Sequence, residues 1–486
     1  MLSRVVNVLF CLTVAVGPLL MGSYYGAYRW PLLILATLTG VLGLLVVPPQ
    51  SKKVSFWVLV VAVLGLMLQG GWMWYNARTF LIENEIYEGV HYLWHLEPVA
   101  GQPYPGLPGA VDKAQAWDRL SYVLPCLLLV LSVRQLVAHQ VIKLRTMCGC
   151  VFWVGVFVAG LGLAQRLSGA EGIYWMDVVD LRGRGYFFAT YRSPGIAATY
   201  LNMALMLGVA HFFAEVRTRA KSYQRGAAYP ICVLIGVLLV FVASIFAGSK
   251  AAAVMAVCGL LLWIAGSARM SLRILRYFPL LFPSGSSRER NIILGAIGGA
   301  FLLGGLALSE TVVERWKGSH EGGYGTLVAR QEANKVQVAM VEDEEWGAMG
   351  FGPGAFYVLF PIYVEVADAD INERWDYAHN DYLQTYVEWG WLGGGMFAVL
   401  VAGGFWGGSK SGWLKTAGHK KTHVLYVRGG AIAMVCCMVQ ALIDFPLQIE
   451  SIGVIFAILV GAGWGVNSLG RRGAVSEGRK TTQRLT

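Results

Sequence analysis

Apolar runs of 16 to 23 residues recur along almost the whole 486-residue chain. A helix needs about 20 such residues to cross the hydrocarbon core of a bilayer, and somewhat fewer when its flanking side chains reach the interface. The residues are 56% hydrophobic and only 14% charged, which lies outside the range of soluble globular proteins. The sequence therefore predicts an all-α polytopic integral membrane protein with about 12 transmembrane helices. The predicted spans are 5–21, 30–47, 54–70, 120–138, 147–165, 194–214, 229–247, 251–266, 291–308, 385–407, 429–443 and 451–466.

Charge is divided unequally between the segments that join these spans. The two termini and every second connection hold 25 of the 39 Lys and Arg residues and only 3 of the 29 acidic residues. Because positive charge marks the cytoplasmic side, both termini are predicted to be cytoplasmic. The formal charge of +10 then reflects membrane topology, so we do not expect a nucleic-acid partner. The first run lacks a small-residue cleavage site and is interpreted as a membrane helix rather than a signal peptide.

Four regions follow from this topology. We expect about nine transmembrane helices in 1–308, with extracytoplasmic loops at 71–119 and 166–193. A large extracytoplasmic loop is predicted at 309–384, where 14 acidic and five basic residues are mixed with many aromatic ones. About three further helices follow in 385–466, and a basic cytoplasmic tail in 467–486. The eight cysteines all fall inside apolar runs and are interpreted as small buried residues rather than disulfides or metal ligands.

The segment His-Asn-Asp-Tyr-Leu-Gln that begins at His379 joins the acidic loop to a membrane helix. Asp381 and Gln384 have capping-box spacing, which predicts a helix start. A histidine at the positive end of a helix is biased toward its neutral, basic form. On a straight helix Glu388 would point about 180° away from position 379 around the helix axis, so it is not an obvious partner for that residue. The structural alternative is an interfacial histidine beside a belt of tryptophans.

Cations are scarce on the predicted outer side, yet several stand beside the spans. Arg192 lies just before the span at 194–214, and Arg182 and Arg184 lie slightly farther from it. Arg330 lies in a stretch whose apolar spacing favours a helix. Lys250 interrupts an apolar stretch and is either the turn between two spans or a cation within the membrane. Such cations could form a site for a diphosphate. The alternative for Arg330 is a solvated loop charge.

Several separated motifs, in order, resemble the bacterial O-antigen ligase and O-antigen polymerase-like membrane proteins. The most specific is His379-Asn-Asp-Tyr-Leu with Glu388-x-Gly390 and Gly393. Four other elements resemble further parts of the family between about residues 190 and 466: Gly248-Ser-Lys250-Ala, Ala329-Arg330, Gly350-Phe-Gly-Pro-Gly-Ala-Phe356 and Asp444-Phe-Pro-Leu-Gln-Ile449.

This resemblance implies a membrane glycosyltransferase of the GT-C type that needs no metal or other cofactor. Its donor would be a glycan linked to a polyprenyl diphosphate, its acceptor a lipid-linked glycan or another saccharide, and its location the bacterial inner membrane with a periplasmic active site. His379 would be the base acting on the acceptor hydroxyl, supported by Asp381 and Glu388. Arg330 would bind the diphosphate together with Lys250, which occupies the place of a family arginine. Because lysine lacks the bidentate guanidinium, Arg192 could compensate.

Three functions remain open from the sequence. A ligase that transfers the glycan to lipid A–core or another sugar and a repeat-unit polymerase need the same donor chemistry. A transporter or flippase for a lipid-linked or anionic solute is the alternative from another class. Transporters usually hold ionisable groups near the middle of the bilayer, whereas these residues are predicted near its outer boundary.

Overall fold

A computed structural model of the chain describes residues 1–23, 26–48, 53–85, 92–176, 187–221, 228–276, 295, 327–343, 347–371, 375–413 and 421–466. These residues form 13 α-helices and one antiparallel β-hairpin. The helices are α1 Leu2–Leu19, α2 Gly26–Val46, α3 Val54–Tyr75, α4 Lys113–Ala138, α5 Leu144–Leu167, α6 Pro194–Lys221, α7 Ala228–Phe246, α8 Lys250–Leu275, α9 Leu327–Glu342, α10 Ala355–Val366, α11 Asp381–Trp413, α12 Lys421–Gln440 and α13 Glu450–Val466. The hairpin strands are β1 Thr79–Glu85 and β2 Tyr92–Pro98.

Ten of the described helices, α1–α8, α11 and α12, are long and apolar enough to cross a membrane. The apolar helix α13, with 17 residues, is slightly shorter. The all-α polytopic fold class is thereby confirmed, with the hairpin as an addition to it. Each predicted span apart from 291–308 falls on one of these helices, and all of that span except residue 295 lies outside the described residues.

Helix α6 lies at the centre of the membrane bundle. Of the residues in its apolar stretch, 94% are buried, whereas in the corresponding stretches of α1 and α8 only 33% are buried. It packs against α5, α7, α8 and α12, while α4 packs along α13. Glycines let some helices come close together: a Cβ added at Gly463 of α13 would lie 2.1 Å from the carbonyl oxygen of Gly404 in α11. Small residues are the usual means of close helix packing in membranes.

A second hydrophobic core lies outside the membrane bundle. Helix α9 occupies the stretch around Arg330 for which the apolar spacing predicted a helix. Helices α9 and α10 bury Val336, Met340, Phe356 and Phe360 against one another and against the segment that leads into α11. Side chains of the hairpin cover the edge of this core. The described residues of the long acidic segment therefore form a folded layer over one end of the bundle.

This layer covers the end of the bundle where α11 begins, which we call the site end. The amide of Asp381 donates to the carbonyl of Ala441 at 2.9 Å, so the start of α11 meets the end of α12. The connection 441–449, which we call the α12–α13 connector, lies against α4, since the hydroxyl of Tyr122 donates to the carbonyl of Leu447 at 2.8 Å. The site end therefore brings α4, α11, α12 and α13 together beneath α9.

Candidate active site

His379 lies between the extramembrane layer and the α12–α13 connector. Its ring stands edge-on to Trp375 and Phe445, with centroid separations of 4.8 Å and 4.7 Å. Its Nδ1 lies 3.4 Å from Oδ1 of Asp444, which is almost fully buried. A carboxylate facing one imidazole nitrogen fixes the orientation of the ring and favours a proton on that nitrogen. The other nitrogen, Nε2, is then the atom that can act as a base.

The backbone around His379 is held in an uncommon conformation. His379 has a φ of +50°, in the left-handed region that non-glycine residues rarely adopt. The preceding peptide is fixed on both sides, because Ala378 donates its N–H to Oε1 of Gln384 and accepts from Nε2 of Gln337, at 3.1 Å and 2.7 Å. Such strain persists where surrounding contacts over-determine it, and it is common at functional sites.

The start of α11 differs from the capping-box interpretation. The side chain of Asn380 accepts the amides of Tyr382 and Leu383, at 3.1 Å and 3.2 Å, and is the cap. Asp381 is instead buried and accepts the amide of Leu447 and the side-chain amide of Gln448, both at 2.9 Å. The capping prediction for Asp381 is therefore wrong, because the asparagine before it reaches the free amides first. Asp381 holds the α12–α13 connector against the helix.

Asp444 carries the negative charge nearest to His379. Burial raises the pKa of its carboxyl, but the facing imidazole of His379 and the positive charge of Arg330 outweigh burial and lower the pKa below its ordinary value. Gln440 also approaches it, with Nε2 3.4 Å from Oδ2. Asp444 is therefore ionised at neutral pH and can stabilise a protonated imidazole.

Arg330 reaches the same place from α9. Its Nη1 donates to the carbonyl of Ile443 at 2.7 Å, next to Asp444 in the chain. Its Nε is buried and has no hydrogen-bond partner among the described residues. A buried charged donor without a partner is costly unless a ligand completes it. The contact with the α12–α13 connector excludes the simple alternative of a fully solvated loop charge.

The starts of α6 and α8 also lie at the site end. A Cβ added at Gly195 would lie 2.6 Å from Oδ2 of Asp444 and 3.7 Å from Oγ of Ser249. Ser249 caps α8, and Lys250 is the exposed first residue of that helix, so Lys250 occupies the turn between two spans. Arg192 lies two residues before α6 and is half-buried. Arg182 and Arg184 lie outside the described residues.

Glu388 is buried away from His379, where α11 is broken at Gly390. The carboxylate accepts from Nε2 of Gln384 at 2.9 Å and from the amides of Gly354 and Phe356 at the start of α10. The amides of Phe351 and Gly352 donate to the carbonyls of Val387 and Glu388, at 2.9 Å and 3.0 Å. Glu388 therefore anchors the glycine turn 350–354 to the break in the helix.

The glycine turn 350–354 and the break in α11 touch through their backbones, and both sides of this contact require glycine. Gly390 has a φ of +62° and a ψ of −171°, and Gly350 has a φ of +76°. A Cβ added at Gly350 would lie 2.5 Å from the amide nitrogen of Gly390. Gln69 of α3 donates to the carbonyls of Trp389 and Met349, at 2.8 Å and 3.1 Å, which satisfies backbone that the break leaves open.

The sequence did not identify two of the residues that build this site. Asp444 enters the sequence argument only as part of a short motif, and no motif contains Gln337. An aspartate placed between two apolar spans is a signal that could have identified Asp444, because an acid there needs a partner. Gln337 has no such signal, since a glutamine in an amphipathic helix is ordinary.

Part of the chain is similar to a known protein family. A family model described as O-antigen ligase matches residues 234–398. The matched segment contains Lys250, Arg330, His379 and Glu388, whereas Arg192 and Asp444 lie outside it. No curated protein matches the chain.

Proposed function

We propose that the chain transfers a glycan from a polyprenyl-diphosphate donor to an acceptor hydroxyl, because its residues 234–398 match a family model described as O-antigen ligase. The match to this family and the apolar helices support a bacterial membrane protein of ligase or polymerase type, whose substrates include a lipid-linked glycan. The proposal adds the chemistry, the residues and the side of the membrane. The reaction would take place at the periplasmic face of the inner membrane, with both termini in the cytoplasm.

The contact between His379 and Asp444 is the observation that carries the proposal. With Nδ1 directed at the carboxylate, Nε2 removes the proton of the acceptor hydroxyl as the oxygen attacks the anomeric carbon. The resulting imidazolium is stabilised by Asp444, whose low pKa keeps it ionised. General-base assistance of this kind contributes about 10²- to 10⁴-fold.

The leaving group is the polyprenyl diphosphate, and Arg330 is its proposed first ligand. The buried Nε of Arg330 would gain a partner in a phosphate oxygen, while Nη1 keeps the side chain against Ile443. Lys250 and Arg192 would supply further positive charge from the starts of α8 and α6. Cations that bind the charge developing on the leaving group take the role that a metal ion has in other transferases, so no metal is invoked.

A single displacement by the acceptor inverts the configuration at the anomeric carbon. The bond from that carbon to the diphosphate oxygen breaks as the bond to the acceptor oxygen forms, and the acceptor proton moves to His379. Transfer to lipid A–core or another sugar would make the protein a ligase, and transfer to a second lipid-linked glycan would make it a polymerase. Both outcomes use the same donor site, so the choice of acceptor is left to experiment.

The test is reconstitution of the purified protein in liposomes with a polyprenyl-diphosphate glycan and each class of acceptor. We expect glycan transfer with inverted anomeric configuration by the wild type, and a loss of about 10²-fold or more in His379→Ala. Arg330→Ala should weaken binding of the donor and also lower the rate of transfer. Solute flux without any glycan product would support the transporter instead.

Matched controls lie on the same side of the molecule. His95 is an exposed histidine of β2 that pairs with Glu97, and Lys335 is an exposed cation of α9 that pairs with Glu332. His95→Ala and Lys335→Ala should therefore transfer glycan at the wild-type rate. Wild-type transfer by His379→Ala would remove the base from the proposal, and a product that retains the donor configuration would exclude a single displacement.

A further inference from the structure

Arg119 of α4 contacts both chain segments that form the His379–Asp444 pair. Its guanidinium lies 5.4 Å from the ring centroid of Tyr377, and its Nη1 donates to the carbonyl of Gln448 at 3.3 Å. Tyr377 is two residues before His379, and Gln448 is four residues after Asp444. One side chain therefore links the loop that carries the proposed base to the connector that carries its carboxylate.

Aromatic rings continue this link as far as the imidazole. Tyr377 is stacked on Phe445, with centroids 4.7 Å apart and planes 21° apart. Phe445 in turn meets the ring of His379 edge-on at 4.7 Å. The guanidinium, Tyr377, Phe445 and the imidazole form a chain of successive contacts, so a shift of Arg119 would be transmitted to the ring of His379.

The charge of Arg119 is compensated within the protein. Glu450, Glu388 and Asp118 all act on it electrostatically, and Glu450 is also held by Arg29, with Nε 3.3 Å from Oε1. A cation whose charge is offset by three acids is suited to a fixed position rather than to an anionic ligand. This distinguishes Arg119 from Arg330, whose Nε has no partner among the described residues.

We propose that Arg119 is a positioning residue that keeps His379 and Asp444 in register for the transfer step. The inference rests on the proposed function and adds a residue of α4, outside the segment that matches the family. Loss of the link would misalign the base without removing any group that contacts the donor. Misplacement by about 1 Å can cost roughly 10²-fold in rate.

The experiment compares Arg119→Met with Arg166→Met in single-turnover glycan transfer by the full-length protein in liposomes. Arg166 of α5 makes the same kinds of contact elsewhere: it donates to the carbonyl of Phe187 at 2.6 Å and lies 5.8 Å from the Phe187 ring centroid. The amplitude counts active molecules, and the rate constant reports the chemical step. We expect the rate constant of Arg119→Met to fall about 10- to 100-fold, with donor KM within about twofold of wild type, and that of Arg166→Met to stay unchanged.

A merely structural role for Arg119 would lower the amplitude and leave the rate constant unchanged, and this result would overturn the inference. If Arg119→Met does not fold, Arg119→Lys keeps the charge but loses the flat stacking surface. A wild-type rate constant in Arg119→Lys would then overturn it, and a reduced one would support it. Absence of glycan transfer by the wild type would instead refute the proposed function, so the two failures are distinguishable.

Discussion

Replacing Asp444 by asparagine removes a charge while keeping the shape of the side chain. The Asp444 carboxylate and the His379 imidazole are 3.4 Å apart, with side chains 4% and 21% exposed. Coulomb's law gives an attraction of about 1 kcal/mol at this distance in water and about 5 kcal/mol at an effective dielectric constant of 20. Since about 1.4 kcal/mol is tenfold in rate, losing the stabilised imidazolium should slow transfer between about tenfold and several thousandfold.

A second effect acts in the same direction. The side-chain amide of an asparagine can donate to Nδ1 of His379, which would place the imidazole proton on Nε2 and block the base. The corresponding change in the catalytic triads of serine proteases lowers kcat by about 10⁴. We therefore expect Asp444→Asn to lose about 10²- to 10³-fold in the single-turnover rate.

The assay is single-turnover glycan transfer in liposomes at saturating donor, with the protein amount set by the reaction amplitude. Asp370→Asn is the control, because Asp370 is an exposed acid in the same extramembrane layer. It should transfer glycan at the wild-type rate. Transfer by Asp444→Asn within about twofold of wild type would refute the argument that the carboxylate stabilises the protonated base.

Three other outcomes follow from the same contacts. Lys250→Arg should keep or lower the donor KM, whereas Lys250→Ala should raise it about tenfold. Equal donor KM values in the two variants would remove Lys250 from the proposed diphosphate site. Gly390→Ala should destabilise the protein by at least about 1–3 kcal/mol, measured by thermal inactivation, because Gly390 has a φ of +62° and an added Cβ would lie 2.5 Å from the carbonyl oxygen of Ala348. Gly394→Ala is the control, because the space around Gly394 is open. Because the pKa of Asp444 is lowered in the folded protein, its carboxylate stabilises the fold at pH values above the ordinary pKa of 3.8, and this contribution is lost as the pH falls through the lowered pKa. Acid unfolding, measured by intrinsic fluorescence, should therefore depend less steeply on pH in Asp444→Asn.

Hydropathy predicts the membrane helices of this chain because length and apolarity are what a bilayer requires of them. It places their ends less well, since a helix can continue beyond the hydrocarbon core. Helix α4 begins at Lys113, seven residues before the predicted span at 120–138. The hairpin of β1 and β2 is not predicted either, because its strands carry charged residues among the apolar ones and lack a regular alternation.

The site is less predictable than the fold because its residues are joined by tertiary contacts. His379 is identified from a local feature, a histidine before a helix. Its partner Asp444 is 65 positions later, and no periodicity relates the two. Local capping rules also fail to assign Asp381, because Asn380 competes for the same amides and leaves the aspartate for the α12–α13 connector.

A site that binds a diphosphate in acidic surroundings must keep its acids from neutralising its cations. Asp381 and Glu388 are both held by neutral amides, and Asp444 faces the imidazole. Arg330 contacts a neutral carbonyl and acts on Asp444 only through space, so its charge is retained beside a buried Nε that lacks a partner among the described residues. The acids thereby position the proposed base and the α12–α13 connector while leaving Arg330 to an anion, so the proposed base and the proposed diphosphate ligand can share one small site.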